Sequence, residues 1–210
     1  MKKGQNVIFI IIAIVIMSGL GVWYYFYWQG NMYFSTENAK VSTEYYTILP
    51  SGSGKLAKLN ISEGSFVKEN EVIGRTENGP YIKSPINGQV VKSDVVLNQD
   101  VAATTVIAVI ADTNNIYINA NIEETDIRKI KTGQEVQVKL DAYPDRKFKG
   151  HVEEVNKVTQ SALSGNATSF STSGTYTKVT QLIPVKIVID DDVQLGELLG
   201  TNATVKIKVK

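Results

Sequence analysis

The chain lacks cysteine altogether and has a single histidine, His151, among its 210 residues. The absence of cysteine excludes disulfide bonds, thiol catalysis and cysteine-ligated metals. One histidine supplies neither a zinc-ligand set nor a Ser-His-Asp arrangement, so we interpret it as a strand residue at a barrel surface. Residues 190–192 (DDD) indicate a solvated turn, because three consecutive carboxylates point in different directions. We therefore predict no catalytic residue, no cofactor-binding residue, no cofactor and no metal site, and we do not expect an enzyme.

An excess of charge of either sign is also lacking. The chain has 22 basic and 21 acidic residues, which gives a formal net charge of +1. No basic stripe with interleaved aromatic residues is present, so nucleic acid is not an expected partner. The glycine-containing segment 51–54 (SGSG) lacks the spacing and the Lys-Ser/Thr pair of a phosphate-binding loop.

One long apolar run is present, at residues 7–27, and it contains no charged residue. As a helix it would span roughly 31 Å, which is enough to cross a bilayer. Lys2 and Lys3 precede the run and the next basic residue is Lys40, so the positive-inside rule places the N-terminus in the cytoplasm. A cleaved signal peptide is the alternative, but the run is long and ends in bulky aromatic residues. We expect an uncleaved single-pass anchor in the cell membrane, with the bulk of the chain outside the cytoplasm.

An internal repeat follows, in which residues 48–74 reappear as residues 82–108, shifted by 34 positions. The equivalent positions carry similar residues, such as Ile48 and Ile82, Gly54 and Gly88, Lys58 and Lys92, and Val67 and Val101. Gly64 and Asn98 fall on equivalent turns and are the residue types that best tolerate a positive φ. Two copies of one short β unit predict a flattened barrel that neither half could close alone. Two unrelated hairpins are the alternative.

This plan is that of biotinyl and lipoyl carrier domains, which need one exposed lysine at the hairpin between the halves. The equivalent position here is Glu77, in the joining segment 75–80 (RTENGP). A carboxylate cannot form the amide bond to biotin or lipoate, and the nearest lysine, Lys83, is expected inside the next strand. The repeat therefore predicts a lipoyl-like domain that carries no cofactor.

The second half of the chain alternates apolar and polar residues with a period of two, which predicts half-buried antiparallel strands. The apolar positions are Ile116, Ile118, Ala120 and Ile122, then Val136, Val138 and Leu140, then Val185, Ile187 and Ile189, and finally Val205, Ile207 and Val209. With a less regular strand at 148–155, four or five strands predict a small closed or nearly closed barrel. A short helix is expected at 124–130, with Ile127 and Ile130 facing the barrel and Gly133 ending it. Residues 161–177 are rich in Ser, Thr and Gly and are expected to form a long mobile loop.

The predicted fold class is mainly β, in four parts. Residues 1–28 form the cytoplasmic tip and transmembrane anchor, and residues 29–47 form a tether and lead-in strand. Residues 48–112 form the lipoyl-like domain, and residues 113–210 form the antiparallel barrel with one short helix and the mobile loop at 161–177.

Several segments in this order resemble the HlyD/EmrA-type membrane fusion proteins, which are adaptor subunits of efflux and secretion pumps. Residues 35–41 (STENAKV) are similar to the lead-in strand of that family, and residues 47–54 (TILPSGSG) and 82–88 (IKSPING) to its two lipoyl halves. Residues 119–127 resemble the barrel entry. Residues 176–187 are similar to the EmrA-like branch, whose partners are usually major-facilitator drug exporters.

The resemblance implies a non-catalytic adaptor that docks on an inner-membrane exporter, of the major-facilitator or ABC type, and forms homo-oligomers at the membrane. Longer family members carry a helical hairpin between the lipoyl halves, whereas only residues 75–81 join them here. A short form of this kind would not reach an outer-membrane duct. We therefore expect it in a bacterium with a single membrane, where no outer channel is needed. A cell-envelope scaffold or binding module unconnected with transport is the alternative.

Overall fold

Most of the regular structure in the described part of the chain is β-strand. The computed structural model describes residues 14–25, 32–163, 180–191, 193 and 195–210. The strands in these ranges are β1 (Tyr33–Ser42), β2 (Tyr45–Ile48), β3 (Gly54–Leu59), β4 (Phe66–Val67), β5 (Val72–Thr76), β6 (Tyr81–Lys83), β7 (Gly88–Lys92), β8 (Asp100–Val101), β9 (Ala108–Asp112), β10 (Tyr117–Glu123), β11 (Glu135–Leu140), β12 (Phe148–Val155), β13 (Leu182–Ile189) and β14 (Asn202–Lys208). Single 3-10 turns lie at Ile127–Lys129 and Gly196–Leu198, and a four-residue helix, α1, lies at Gln160–Leu163. The predicted mainly β class is confirmed.

Six antiparallel strands close into a barrel in the order β1-β10-β13-β12-β11-β14, with β14 paired to β1. Successive side chains of a strand point to opposite faces, so a period of two sends every second residue into the interior. The alternating apolar residues accordingly fill the core: Ile118, Ala120, Ile122, Val136, Val138, Leu140, Val185, Ile187, Val205 and Ile207. The small antiparallel barrel predicted from the alternation is confirmed.

The strand that closes the barrel, β1, comes from the segment predicted as a tether and lead-in strand. It begins at Tyr33 and pairs with both β10 and β14, whereas the rest of the predicted lead-in strand, β2, pairs with β9 in another sheet. Of its ten residues only Ala39 and Val41 are buried, and a register shift interrupts it between Thr36 and Ala39. A bulged strand with two buried side chains shows little alternation, which is why six strands form the barrel rather than the expected four or five.

The repeat region forms two four-stranded sheets around a shared core, and we call this unit the sandwich. Sheet 1 has the order β2-β9-β7-β4 and sheet 2 has the order β6-β5-β3-β8. Shifting each strand by one repeat turns one order into the other, because β2 corresponds to β6, β9 to β5, β7 to β3 and β4 to β8. Each copy therefore supplies strands to both sheets, and the two copies bury apolar side chains in one core, among them Leu56, Ile73, Val90, Ile107 and Ile110.

The equivalence of the two copies extends to single residues. Gly54 lies opposite Val101 in sheet 2, and the corresponding Gly88 lies opposite Val67 in sheet 1. The turn residues Gly64 and Asn98 have φ values of 84° and 68°. Their backbone N–H groups donate to the carbonyl oxygens of Val90 and Leu56, at 2.7 and 2.8 Å. The positive φ predicted for these two turns is confirmed, and each turn is anchored on the other copy.

The helix predicted at 124–130 is only the 3-10 turn Ile127–Lys129. Side chains three residues apart eclipse one another in a 3-10 turn, so Ile127 and Ile130 both still reach the barrel core, as expected. The backbone of Ile130 is already extended, at φ −98° and ψ 131°, which ends the turn. Gly133 has a φ of +85°, and its positive φ lets the chain reverse before β11.

Residues 14–25 of the predicted anchor are helical, and their apolar side chains are exposed. The remainder of the apolar run at 7–27 lies outside the described residues. Among the residues that are described, no helix is long and apolar enough to cross a membrane. Most of the predicted loop at 161–177 also lies outside the described residues, and its first three residues belong to α1.

Candidate functional site

Glu77 lies in the exposed hairpin that connects β5 and β6. Its backbone N–H donates to the carbonyl oxygen of Lys55 at 2.9 Å, which ties the hairpin to β3. Lys83, the nearest lysine along the chain, is the last residue of β6, as expected. The position that holds the acceptor lysine in carrier domains is therefore reached by solvent here and carries a carboxylate.

His151 lies on the surface of the barrel, as predicted, in strand β12. Its Nδ1 atom is 2.7 Å from Oδ1 of Asp190, and both side chains are about half exposed. The neighbouring Asp191 accepts the backbone N–H of Lys149 through Oδ2 at 2.5 Å. The acids at 190 and 191 thus hold the start of β12 and the end of β13 together, while Asp192 lies outside the described residues. In the part of the chain that the structure describes, no three His, Asp or Glu side chains are grouped to hold a metal ion.

Ion pairs between neighbouring strands lie on the outer surface of the barrel. Lys186 Nζ lies 2.9 Å from Oε2 of Glu153 and 4.8 Å from the ring centroid of Tyr117. The hydrogen bond to Glu153 raises the pKa of Lys186. Lys208 Nζ lies 2.9 Å from Oε2 of Glu135, and this hydrogen bond lowers the pKa of Glu135. Exposed pairs of this kind favour strand register and supply little stability.

The two linkers between the sandwich and the barrel meet in a partly buried polar network, which we call the junction. Thr43, between β1 and β2, is 3% exposed, and Asp112, at the end of β9, is 5% exposed. The hydroxyl of Thr43 donates to the carbonyl oxygen of Asp112 at 2.5 Å and lies 3.1 Å from that of Asn115. The carboxylate of Asp112 accepts the backbone N–H of Asn114 at 2.8 Å and the side-chain amide of Asn115 at 2.7 Å.

The sequence analysis did not identify the junction. An aspartate two residues before an asparagine turn is the available pattern, since Asp side chains often accept the N–H two residues on. That Thr43 joins this turn from 69 residues away depends on the fold. Thr43 and Asp112 are buried and hydrogen-bonded, so we expect the junction to hold the two linkers between the sandwich and the barrel in a fixed geometry.

We expect Asp112→Ala to lower the free energy of unfolding by about 2 kcal/mol, because it removes two hydrogen bonds that a buried, charged carboxylate accepts. Urea denaturation followed by circular dichroism measures this. The matched control is Asp94→Ala, which removes an exposed carboxylate 2.6 Å from Lys92. Its unfolding midpoint should stay close to that of the wild type. Equal midpoints for both variants would contradict the role given to the junction.

A cleft of about 440 Å³ opens beside the junction, between the sandwich and the barrel. Phe66 of β4 lines it from the sandwich, and the linker after β9 and the segment after β13 line it from the barrel side. The full lining is Phe66, Thr113, Asn114, Ile116, Ile189, Asp191, Val193, Leu195, Gly196 and Glu197. The sequence does not group these residues, because they come from segments far apart in the chain.

Comparison with known proteins identifies the family to which this chain is similar. Residues 116–207, most of the barrel, match the family model of the YknX-like beta-barrel domain. YhbJ of Bacillus subtilis (strain 168), whose name refers to an efflux system component, is 40% identical over 181 residues. This alignment covers 85% of the present chain and 81% of YhbJ.

Two further similarities extend this result. The multidrug export protein EmrA of Escherichia coli (strain K12) is 33% identical over 132 residues, which cover 59% of this chain and 34% of EmrA. The structure of the membrane fusion protein Spr0693 from Streptococcus pneumoniae R6 has a TM-score of 0.61 at 14% identity. It covers 85% of this chain and 99% of that one, and at this identity it shows a shared fold alone. The chain spans about a third of the length of the EmrA proteins that it matches.

The combination of a closed barrel and a two-sheet sandwich is thus a fold found among the adaptor components of export systems. On the identity to YhbJ, which extends over most of both proteins, the chain belongs to the HlyD/EmrA-type membrane fusion proteins. The resemblance noted in the sequence is confirmed.

Proposed function

We propose that this protein is a non-catalytic, membrane-anchored adaptor of an export or multidrug efflux system that docks on an inner-membrane exporter. The observation that carries the proposal is the 40% identity to YhbJ over 85% of the chain, which includes most of both the sandwich and the barrel. Relatives named as multidrug export proteins support the same role. The proposed partner is a major-facilitator or an ABC exporter.

Residues 7–27 are proposed as the anchor that keeps the protein beside its exporter. The run is uncharged, Lys2 and Lys3 precede it, and residues 14–25 are helical with exposed apolar side chains. Apolar side chains exposed along a whole helix suit a lipid environment better than water. We propose that the N-terminus is cytoplasmic, as the positive-inside rule predicts from Lys2 and Lys3, and that the sandwich and the barrel lie outside the cytoplasm.

The sandwich is proposed as a lipoyl-like module that serves assembly instead of carrying a cofactor. Its two copies interlock in equivalent registers, and Glu77 occupies the exposed hairpin. A rigid module of this kind could supply contacts between copies of the protein in a homo-oligomer. Intact-mass measurement tests the absence of a cofactor, since biotin or lipoate would add a fixed mass to the chain.

The short connection between the two copies of the repeat limits how far the proposed adaptor can extend from the membrane. In sheet 2, β5 ends at Thr76 and β6 begins at Tyr81, so four residues make the hairpin. Two helices of many tens of residues would be needed there to reach an outer-membrane duct. The proposed adaptor therefore acts at a single membrane.

Affinity purification of the full-length, C-terminally tagged protein from cross-linked membranes should recover a multi-span exporter together with further copies of the chain. Mass spectrometry identifies both. A tagged single-pass protein of unrelated sequence is the control for nonspecific recovery of membrane proteins. Deletion of the gene should also lower export and raise sensitivity to the exported compound.

Repeated recovery of no transporter, with export and drug sensitivity unchanged after deletion, would overturn the adaptor role. That combination would support the alternative of a cell-envelope scaffold or binding module. Recovery of an ABC exporter instead of a major-facilitator protein would keep the role and assign the class of partner.

A further inference from the structure

The cleft beside the junction is lined by apolar side chains and by charged side chains of one sign. Phe66 is 62% exposed, although the other residue of its strand, Val67, is buried in the sandwich core. The same cleft is lined by Leu195, which is 7% exposed, and by the half-buried Ile116, Ile189 and Val193, all of which belong to the barrel core or pack against it. Phe66 and the exposed parts of Ile116, Ile189 and Val193 form an apolar surface that the described residues do not cover.

The charged side chains that line the cleft are both carboxylates, among the residues that the structure describes. Asp191 accepts the backbone N–H of Lys149 through one oxygen, Oδ2. Glu197 is exposed on the 3-10 turn Gly196–Leu198. No lysine or arginine side chain is in the described lining, so the two charges that line the cleft have the same, negative sign.

Gly196 keeps the cleft open. A Cβ atom built on Gly196 would lie 3.9 Å from Cγ2 of Thr113 and 4.0 Å from Cδ1 of Ile116. These are ordinary contact distances, so a small side chain would fit without strain and a larger one would extend between two lining residues. A glycine at this place leaves the space between the linker and the 3-10 turn free.

We propose that this cleft binds a small amphiphilic cation, with an apolar or aromatic body against Phe66 and Ile116 and its positive charge near Asp191 and Glu197. The volume of about 440 Å³ falls within the roughly 300–1,000 Å³ of ligand sites, which often lie where two structural units meet. An exposed aromatic ring attracts a cation as well as an apolar body. The inference does not depend on the adaptor role, because it follows from the lining of the cleft alone.

Tetraphenylphosphonium and tetraphenylborate provide the test, since the two ions have nearly the same shape and opposite charge. Equilibrium dialysis of the full-length protein in uncharged lipid nanodiscs, with empty nanodiscs as the blank, measures saturable binding. Tetraphenylphosphonium should bind at one site per chain and more weakly as the salt concentration rises. Equal binding of the anion, or no saturable binding of the cation, would overturn the proposal.

Three variants locate the site. The double variant Asp191→Asn/Glu197→Gln should weaken binding about fivefold or more, and the amide oxygen of asparagine can still accept the N–H of Lys149. Gly196→Leu should abolish saturable binding by filling the cleft, and Phe66→Ala should weaken it about fivefold. Glu77→Gln neutralises an exposed carboxylate outside the cleft and is the matched control.

The melting temperature of each variant shows that the fold is retained, since the substituted side chains are largely exposed. Cation binding that survives both Gly196→Leu and the double neutralisation would place the cation elsewhere and refute the assignment. Loss of binding in these variants with normal recovery of the exporter would separate this site from the adaptor function.

Discussion

Gly88→Ala is expected to lower the free energy of unfolding by about 3 kcal/mol, which is at the upper end for overpacking. A Cβ atom at position 88 would lie 2.3 Å from the carbonyl oxygen of Ala111 and 2.6 Å from Cγ2 of Ile110. The carbonyl belongs to the adjacent strand β9, which is held by its own ladder of hydrogen bonds and cannot move away cheaply. One added methyl group would therefore force apart β7 and β9 at the centre of sheet 1.

Urea denaturation of the full chain measures this effect, with Gly52→Ala as the matched control. A Cβ atom at Gly52 meets nothing within 4 Å, and the backbone there is not in the left-handed region. The control should unfold at or slightly above the wild-type midpoint, because alanine restricts the unfolded chain more than glycine does. If Gly88→Ala were as stable as Gly52→Ala, the claim that β7 and β9 lie too close together for a side chain at position 88 would be contradicted.

The equivalent glycine of the other copy, Gly54, is needed for a different reason. A Cβ atom there would meet only Cβ of Thr76, at 3.8 Å, so space is available. Its φ of +152° is instead a conformation that other residues rarely adopt. The two copies thus keep the same residue at the same register position while the physical constraint differs.

Phe148→Ala is expected to have the largest effect in the barrel, a loss of about 3–5 kcal/mol of unfolding free energy. Phe148 is 1% exposed and is the largest fully buried side chain among the described residues. Closed on all sides by six strands, the barrel cannot collapse into the space that the ring leaves, so a cavity remains.

Tyr143→Ala is the control for this experiment. The Tyr143 ring packs against Phe148 edge to face, with centroids 6.1 Å apart, but it is 38% exposed. Removing it opens a surface contact that water can fill, so the loss should be less than half of that for Phe148→Ala. Thermal and urea unfolding of both variants in parallel measure the difference. Similar losses would show that Phe148 does not fill the barrel interior.

The relation between sequence and fold differs between the two units. In the sandwich, residues 48–74 and 82–108 match over a whole copy, and the structure places the matched residues at equivalent positions of two equivalent sheets. In the barrel, the alternation of apolar residues predicts four strands clearly and β12 less clearly. Strand β1 is hidden, because its sequence YFSTENAKVS places only two side chains in the core and contains a bulge.

The candidate sites depend much more on the fold. Glu77 and His151 lie where the sequence places them, since each position follows from its own strand or hairpin. The junction and the cleft could not be predicted in this way. Thr43 and Asp112 are distant in the chain, and polar residues at the ends of strands are ordinarily expected to face water.

By itself, the sequence determined the class of the protein, the repeat, the strand pattern and the identity of the residue at the hairpin. These are local or periodic properties, which repeat along the chain and need no long-range contact to be recognised. Only the tertiary structure decided that β1 closes the barrel, that Asp112 is buried at the junction, and that Phe66 lines one cleft together with Leu195 and two carboxylates. Each of these depends on which distant segments of the chain come into contact. Those contacts form only when the apolar side chains of the sandwich and of the barrel are buried in their cores.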